Sequence, residues 1–184
     1  EFSFTKVLSF LWIGLFFNQA LLSSVGGDAL RGYCVYKNGY SLGKSSISVL
    51  LDRMFGMVGL IALIIVSFPL MLGLINDDQV RWGIVVLIIS VFALIVLSLM
   101  LDLLPKKMGK FRIIRGFFTF SKEGRKQILS IYPGVMLIAL SIVVHFISIV
   151  AVVVLSKGMS LDLEWYNMLF IVPFATLISA IPVS

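Results

Sequence analysis

The sequence predicts an all-α, polytopic helical membrane protein. Sixty per cent of its 184 residues are apolar, only 13% are charged, and the mean hydropathy is +1.09, which is far from the balance of a water-soluble domain. A helix needs about 20 residues to cross the hydrocarbon core of a bilayer. Three apolar runs reach about that length, namely Met54–Leu74, Gly83–Leu101 and Gly134–Leu155. We therefore expect three membrane-spanning helices.

Two further apolar segments, Val7–Leu22 and Met168–Val183, bring the expected number of membrane segments to about five. The first contains two side-chain amides, and the second contains Pro173 and Pro182. We expect each to be either a complete span or a broken or re-entrant segment, and in transporter folds such segments line binding sites. Because the chain starts without methionine and stops inside an apolar stretch, we expect 1–184 to be one transmembrane domain of a longer protein, truncated at both ends.

The basic residues indicate the orientation in the membrane. Most of them fall in two connections, 25–53 and 105–132, whereas the connections 75–82 and 156–166 are mainly acidic. Since short loops rich in Lys and Arg stay in the cytoplasm, the two basic connections are predicted to be cytoplasmic.

The connection 105–132 is also amphipathic, because phenylalanine and isoleucine recur at helical spacing beside its cations. Two interpretations remain open: a solvated cytoplasmic loop, or an interfacial helix that lies on an anionic leaflet. The second interpretation assigns membrane-surface contact to Lys106, Lys107, Lys110, Arg112 and Arg115.

The segment after the first apolar run is the first candidate for a lipid headgroup site. Gly26 and Gly27 would permit positive φ and the close approach of another group to the backbone, Asp28 would cap the next helix, and Arg31 would follow one turn later on the same face. A glycine turn before a helix N-terminus, with an arginine one turn in, can cradle a phosphate. Alternatively, Asp28 contacts a cationic headgroup or pairs with Arg31, or the segment is only a capped turn at the membrane surface.

Other polar residues have both a functional and a structural interpretation. Asp52 and Arg53 precede the first long span, where they either contribute to the site or anchor the helix at the interface; alternatively, Asp52 pairs with Arg31 or Arg53. The amides Asn18 and Gln19 either bind a headgroup or form hydrogen bonds between helices, and His145 either relays a proton or forms such a hydrogen bond.

Cysteine and histidine counts argue against metal and redox chemistry. One cysteine and one histidine are too few for an intrachain disulfide or a metal-ligand set, so we expect neither a metal nor a cofactor. Clustered acids and an activated nucleophile are also missing from the sequence, which argues against an enzyme.

The linked order of these motifs resembles the flippase-like transmembrane domain of the lysylphosphatidylglycerol synthase family, which also includes uncharacterised stand-alone inner-membrane proteins. The resemblance covers essentially the whole chain. The residues that carry it are Leu15-Phe16-Phe17-Asn18, Ser23-Ser24-Val25-Gly26-Gly27-Asp28-Ala29-Leu30-Arg31, Ser41-Leu42-Gly43-Lys44, Ser48-Val49-Leu50-Leu51-Asp52-Arg53 and Ile181-Pro182-Val183-Ser184.

The resemblance implies a protein that binds and translocates a phospholipid or polyprenyl-linked lipid between leaflets. The alternative is a non-transporting module that docks lipid for a partner glycosyltransferase or aminoacyl transferase. The expected partners are membrane lipids, either anionic or aminoacylated phospholipids or polyprenyl phosphate, and not nucleic acid. The expected location is a bacterial or archaeal cytoplasmic (inner) membrane, with any soluble transferase domain outside this segment. By position, the implied lipid headgroup site consists of Asn18, Gly26, Gly27, Asp28, Arg31, Asp52 and Arg53.

Overall fold

The computed structural model describes residues 2–20, 24–73, 75–103, 112–161 and 163–179. Within these ranges it contains seven α-helices and no strand, as the sequence predicts for an all-α protein. The helices are α1 (Phe4–Ala20), α2 (Ser24–Lys37), α3 (Leu42–Met71), α4 (Asp78–Met100), α5 (Arg112–Leu129), α6 (Ile131–Gly158) and α7 (Trp165–Ser179), with one 3₁₀ turn at Leu101–Leu103.

The three long predicted spans are confirmed. Each corresponds to a helix that is long and apolar enough to cross a membrane, namely Leu42–Met71, Asp78–Leu103 and Gly134–Gly158, although the first helix ends at Met71, before the predicted end of that span. Much of the apolar surface of α4 and α6 is exposed, which suits helices whose solvent is lipid rather than water. The chain is therefore a helical, multi-pass membrane protein.

The last predicted segment forms a shorter apolar helix, α7. Its described part is not broken at Pro173, because the helix continues through that residue as far as Ser179. Pro173 is buried within this helix, and membrane helices tolerate proline more readily than helices in water do. Pro182 lies outside the described residues.

The helices divide into two compact units. The first comprises Glu1–Arg53 and Pro105–Phe120, and the second comprises Met54–Leu104 and Ser121–Ser184. In the second unit, α3, α4 and α7 share a core of Ile64, Ile84, Phe170 and Leu177.

In the first unit, α1 and α2 form an antiparallel hairpin. The residues that meet run in opposite order along the two helices: Phe2 lies against Tyr40, with ring centroids 5.1 Å apart, whereas Asn18 lies against Gly27. The start of α1 and the end of α2 therefore lie at the same end of the hairpin. Of the alternatives for the first apolar segment, this geometry favours the re-entrant one, because α2 returns along α1 and has only 14 residues, too few to cross the hydrocarbon core.

Candidate functional site

Two glycines bring α1 and α2 into close contact. A Cβ atom on Gly27 would overlap the carbonyl oxygen of Gly14 and the side chain of Asn18. A Cβ atom on Gly14 would overlap the aliphatic stem of Arg31. Only glycine at both positions permits this crossing, which lays the Arg31 side chain across the middle of α1.

Asn18 stabilises the crossing of α1 and α2 with a hydrogen bond. Its side-chain Oδ1 accepts a hydrogen bond from the backbone N–H of Gly27, at 3.0 Å. Gly27 lies in the first turn of α2, where backbone N–H groups need partners from outside the helix. Of the two interpretations of this amide, the structure supports the hydrogen bond between helices. Gln19, the neighbouring amide, is exposed.

Four charged side chains from α2 and α3 form a chain of alternating ion pairs, which we call the charge quartet: Asp52, Arg31, Asp28 and Arg53. Arg31 Nη1 lies 2.9 Å from Asp52 Oδ2 and 3.7 Å from Asp28 Oδ1. The other oxygen of Asp28 accepts a hydrogen bond from Arg53 Nε. The pairing of Asp52 with Arg31, one of the alternatives from the sequence, is confirmed.

Two expectations for this segment are wrong, namely positive φ at the glycines and Asp28 as a helix cap, whereas the expected close approach of another group to the backbone is confirmed at Gly27. Helix α2 begins at Ser24, so Gly26, Gly27 and Asp28 already lie within the helix, and Asp28 is not its N-cap. Neither glycine has positive φ; among the described glycines only Gly39 does. The physical reason is that glycine at 27 is needed for the approach of α1, and the Asp28 carboxylate is needed to pair with the two arginines.

Within the charge quartet, burial is greatest at Asp28 and least at Asp52. The side chains of Asp28, Arg31 and Arg53 are 13%, 24% and 34% exposed, whereas that of Asp52 is 59% exposed. The two carboxylates and two guanidinium groups balance in charge, so the cluster can exist in a partly buried environment. Its exposed end is the pair of Asp52 with Arg31, and a ligand can compete for that pair.

A second charged cluster, which the sequence analysis missed, joins the end of α4 to α5. Arg125 pairs with Asp102. The hydroxyl of Ser121 lies 2.9 Å from Asp102 Oδ1, and it accepts a 3.3 Å hydrogen bond from the Asp102 backbone N–H. The available signal was an acid at the end of an otherwise apolar run, which requires a partner when it is only 13% exposed.

His145 links two membrane-spanning helices. Its Nε2 lies 3.2 Å from the carbonyl oxygen of Gly56 on α3, and the hydroxyl of Ser141 donates to the same oxygen at 3.3 Å. The contact supports the hydrogen bond between helices rather than a proton relay.

The structure leaves most of the predicted membrane-surface cations undescribed. Lys106, Lys107 and Lys110 lie outside the described residues, as does the side chain of Arg112, whereas Arg115 is exposed on α5. The helical interpretation of the described part of this connection, 112–129, is confirmed. Among the described residues no cluster of histidine, cysteine, aspartate or glutamate could hold a metal.

The sequence profile of the family described as lysylphosphatidylglycerol synthase TM region matches residues 1–184, the whole chain. The chain belongs to this family. The resemblance noted from the motifs is thereby confirmed, and membership in the lysylphosphatidylglycerol synthase TM region family identifies a membrane domain associated with lipid handling. No curated protein and no solved structure matches the chain.

Proposed function

We propose that this chain binds the phosphate-bearing headgroup of a membrane lipid at the charge quartet and translocates that lipid between leaflets. The observation that supports the proposal most directly is the sharing of Arg31 between a largely buried and an exposed carboxylate. The cluster therefore contains a guanidinium that is held in place from one side and accessible from the other.

The proposed binding step is an exchange of anions on Arg31. An exposed ion pair such as Arg31 with Asp52 contributes about 0–1 kcal/mol, so the free energy needed to release Asp52 is small. A phosphate accepts two parallel N–H hydrogen bonds from a guanidinium, which makes it a strong competitor for that carboxylate. Asp28, which is more buried and contacts both arginines, keeps them in position during the exchange.

The hairpin of α1 and α2 supports access from one side of the membrane. Because α1 and α2 are antiparallel, α2 ends beside the start of α1. The outer face of α1 exposes Leu11, Trp12, Leu15 and Phe16. Such a face is suited to contact with lipid chains. If the basic connections are cytoplasmic, as the positive-inside rule predicts, a headgroup reaches the charge quartet from the inner leaflet of the cytoplasmic membrane.

The shared chemistry of the expected ligands is a phosphate attached to a lipid. Anionic phospholipids, aminoacylated phospholipids and polyprenyl phosphates all have it, and all remain within the proposal. The proposal assigns this chain a binding and transport role and no catalytic step.

Binding is tested first, on the purified chain in detergent, with dioctanoyl phosphatidylglycerol and farnesyl phosphate as short-chain probes and dioctanoylglycerol as the phosphate-free control. Arg31→Ala should weaken binding of the phosphate probes about tenfold or more, because a charge-assisted hydrogen bond is lost, and Arg31→Lys should weaken it less. Asp52→Asn should strengthen binding by up to about fivefold, because it removes the competing carboxylate. Weaker binding in Asp52→Asn, or equal binding of dioctanoylglycerol, would contradict the exchange.

Transport is tested separately, in proteoliposomes that contain fluorescent phosphatidylglycerol. The unmodified chain should make the inner-leaflet lipid accessible to an external reductant faster than protein-free vesicles do, and Arg31→Ala should remove this difference. Specific binding without transfer would instead indicate the docking module, which should copurify with a glycosyltransferase or aminoacyl transferase whose activity is lost in Asp28→Ala.

A further inference from the structure

Helix α5 has two distinct faces. Exposed polar side chains lie on one side, and four of the six larger apolar side chains from 114 onward lie on the opposite side, namely Ile114, Phe117, Phe120 and Ile128, of which Phe120 is buried. On this apolar side Phe117 is 49% exposed. The polar side consists of Arg115, Thr119, Lys122, Glu123 and Lys126.

The apolar side of α5 is interrupted by two polar residues, Ser121 and Arg125, and both are bonded to the end of α4. Arg125 pairs with Asp102, and the Ser121 hydroxyl is hydrogen-bonded to Asp102. Ser121 is also within hydrogen-bonding distance of the carbonyl oxygen of Leu99, in the last turn of α4. Because the Ser121 hydroxyl and the Arg125 guanidinium have partners within the protein, this side of α5 can face an apolar environment without leaving them unpaired.

The contacts of Ser121 and Arg125 with Asp102 also fix the depth of α5 in the membrane. Asp102 lies near the end of a segment, Asp78–Leu103, that is long and apolar enough to cross the bilayer. A helix attached at that point lies at the boundary between the hydrocarbon core and the headgroups. Exposed apolar side chains at this depth contact acyl chains, and cations beside them reach lipid phosphates.

We propose that α5 lies along the membrane surface and binds anionic lipid headgroups through Arg115, Lys122 and Lys126. Charge complementarity identifies the occupant, because these three exposed cations share the polar side with one acid, Glu123. The exposed Phe117 inserts on the opposite side. This contact is separate from the charge quartet and does not depend on headgroup binding there.

The test uses the full chain in vesicles of phosphatidylcholine, with or without phosphatidylglycerol. In a Cys34→Ser background, an environment-sensitive fluorophore is attached to Phe117→Cys or, as a matched control two residues away on the polar side, to Thr119→Cys. The probe at 117 should shift its emission to the blue and be quenched by spin labels on the acyl chains, more strongly when phosphatidylglycerol is present. The probe at 119 should remain in water.

Charge reversal separates electrostatic binding from simple insertion. Lys122→Glu with Lys126→Glu should abolish the effect of phosphatidylglycerol on the probe at 117, and so should high salt, which screens exposed charges. Both lysines are exposed, so folding should be retained, and an unchanged elution volume and melting temperature verify this. The proposal is overturned if the probes at 117 and 119 report the same aqueous environment, as a solvated loop or a surface for a soluble partner would give. It is equally overturned if the probe at 117 is insensitive to phosphatidylglycerol or to the reversed charges.

Discussion

Replacing each carboxylate of the charge quartet in turn should have unequal effects on stability. Asp28→Asn removes a carboxylate that is 13% exposed and that contacts both Arg31 and Arg53. Asp52→Asn removes one that is 59% exposed and contacts Arg31 alone among the pairs described. The two substitutions are chemically identical and nearly isosteric, so each is the control for the other.

The expected magnitudes follow from burial and from the number of partners. Removing one member of a fully buried pair costs about 3–5 kcal/mol, and an exposed pair contributes about 0–1 kcal/mol. Because the arginines are 24% and 34% exposed, solvent screens them partly, and we expect Asp28→Asn to cost about 2 kcal/mol. Asp52→Asn should cost less than about 1 kcal/mol.

The difference in stability between the two variants is measured by thermal unfolding of the purified chain in one detergent. For a chain of this size, 1 kcal/mol corresponds to about 2–4 °C in melting temperature, so Asp28→Asn should lower it by about 4–8 °C. Asp52→Asn should lower it by less than about 4 °C. Equal shifts, or a larger shift for Asp52→Asn, would refute the inference that Asp28 holds the cluster together.

Two further predictions concern the hairpin of α1 and α2. Gly27→Ala should destabilise the chain by about 1–3 kcal/mol through overpacking, whereas Gly43→Ala, where an added Cβ meets nothing within 4 Å, should be neutral or stabilising; a lower melting temperature for both would contradict the packing argument. If the hairpin is re-entrant, Ser3→Cys in a Cys34→Ser background should react with an impermeant thiol reagent from one side of the membrane, whereas Ala20→Cys, at the turn of the hairpin, should not react from the opposite side. Labelling of Ala20→Cys from the side opposite to Ser3→Cys would show that α1 crosses the membrane.

The three spans could be predicted from the sequence because hydrophobic length is a local property. Each of the runs that begin at Met54, Gly83 and Gly134 is long enough to span the bilayer without help from another element. The behaviour at Pro173 could not be predicted in this way. Whether a proline breaks a helix depends on neighbours that pack around it, and these become adjacent only in the folded chain.

The members of the charge quartet could be identified from the sequence, but their roles could not be assigned. Glycine favours both a turn with positive φ and a close helix crossing, so the residue type at Gly27 did not distinguish between them. For Asp28, capping and ion pairing were equally compatible with its position three residues before Arg31. Only the approach of α3 decides the outcome for Asp28, because it supplies Arg53.

The sequence by itself determined that this is a multi-pass helical membrane protein, and its motifs already resembled the family to which it belongs. Hydropathy and motif order are properties of the linear sequence, so they can be recognised without knowledge of the contacts between helices. The tertiary structure alone decided that Arg31 is shared between Asp28 and Asp52, and that Asp102 fastens α5 to the end of α4. The reason is that an ion pair depends on distances of a few ångströms between helices, which folding establishes between positions about 20 residues apart.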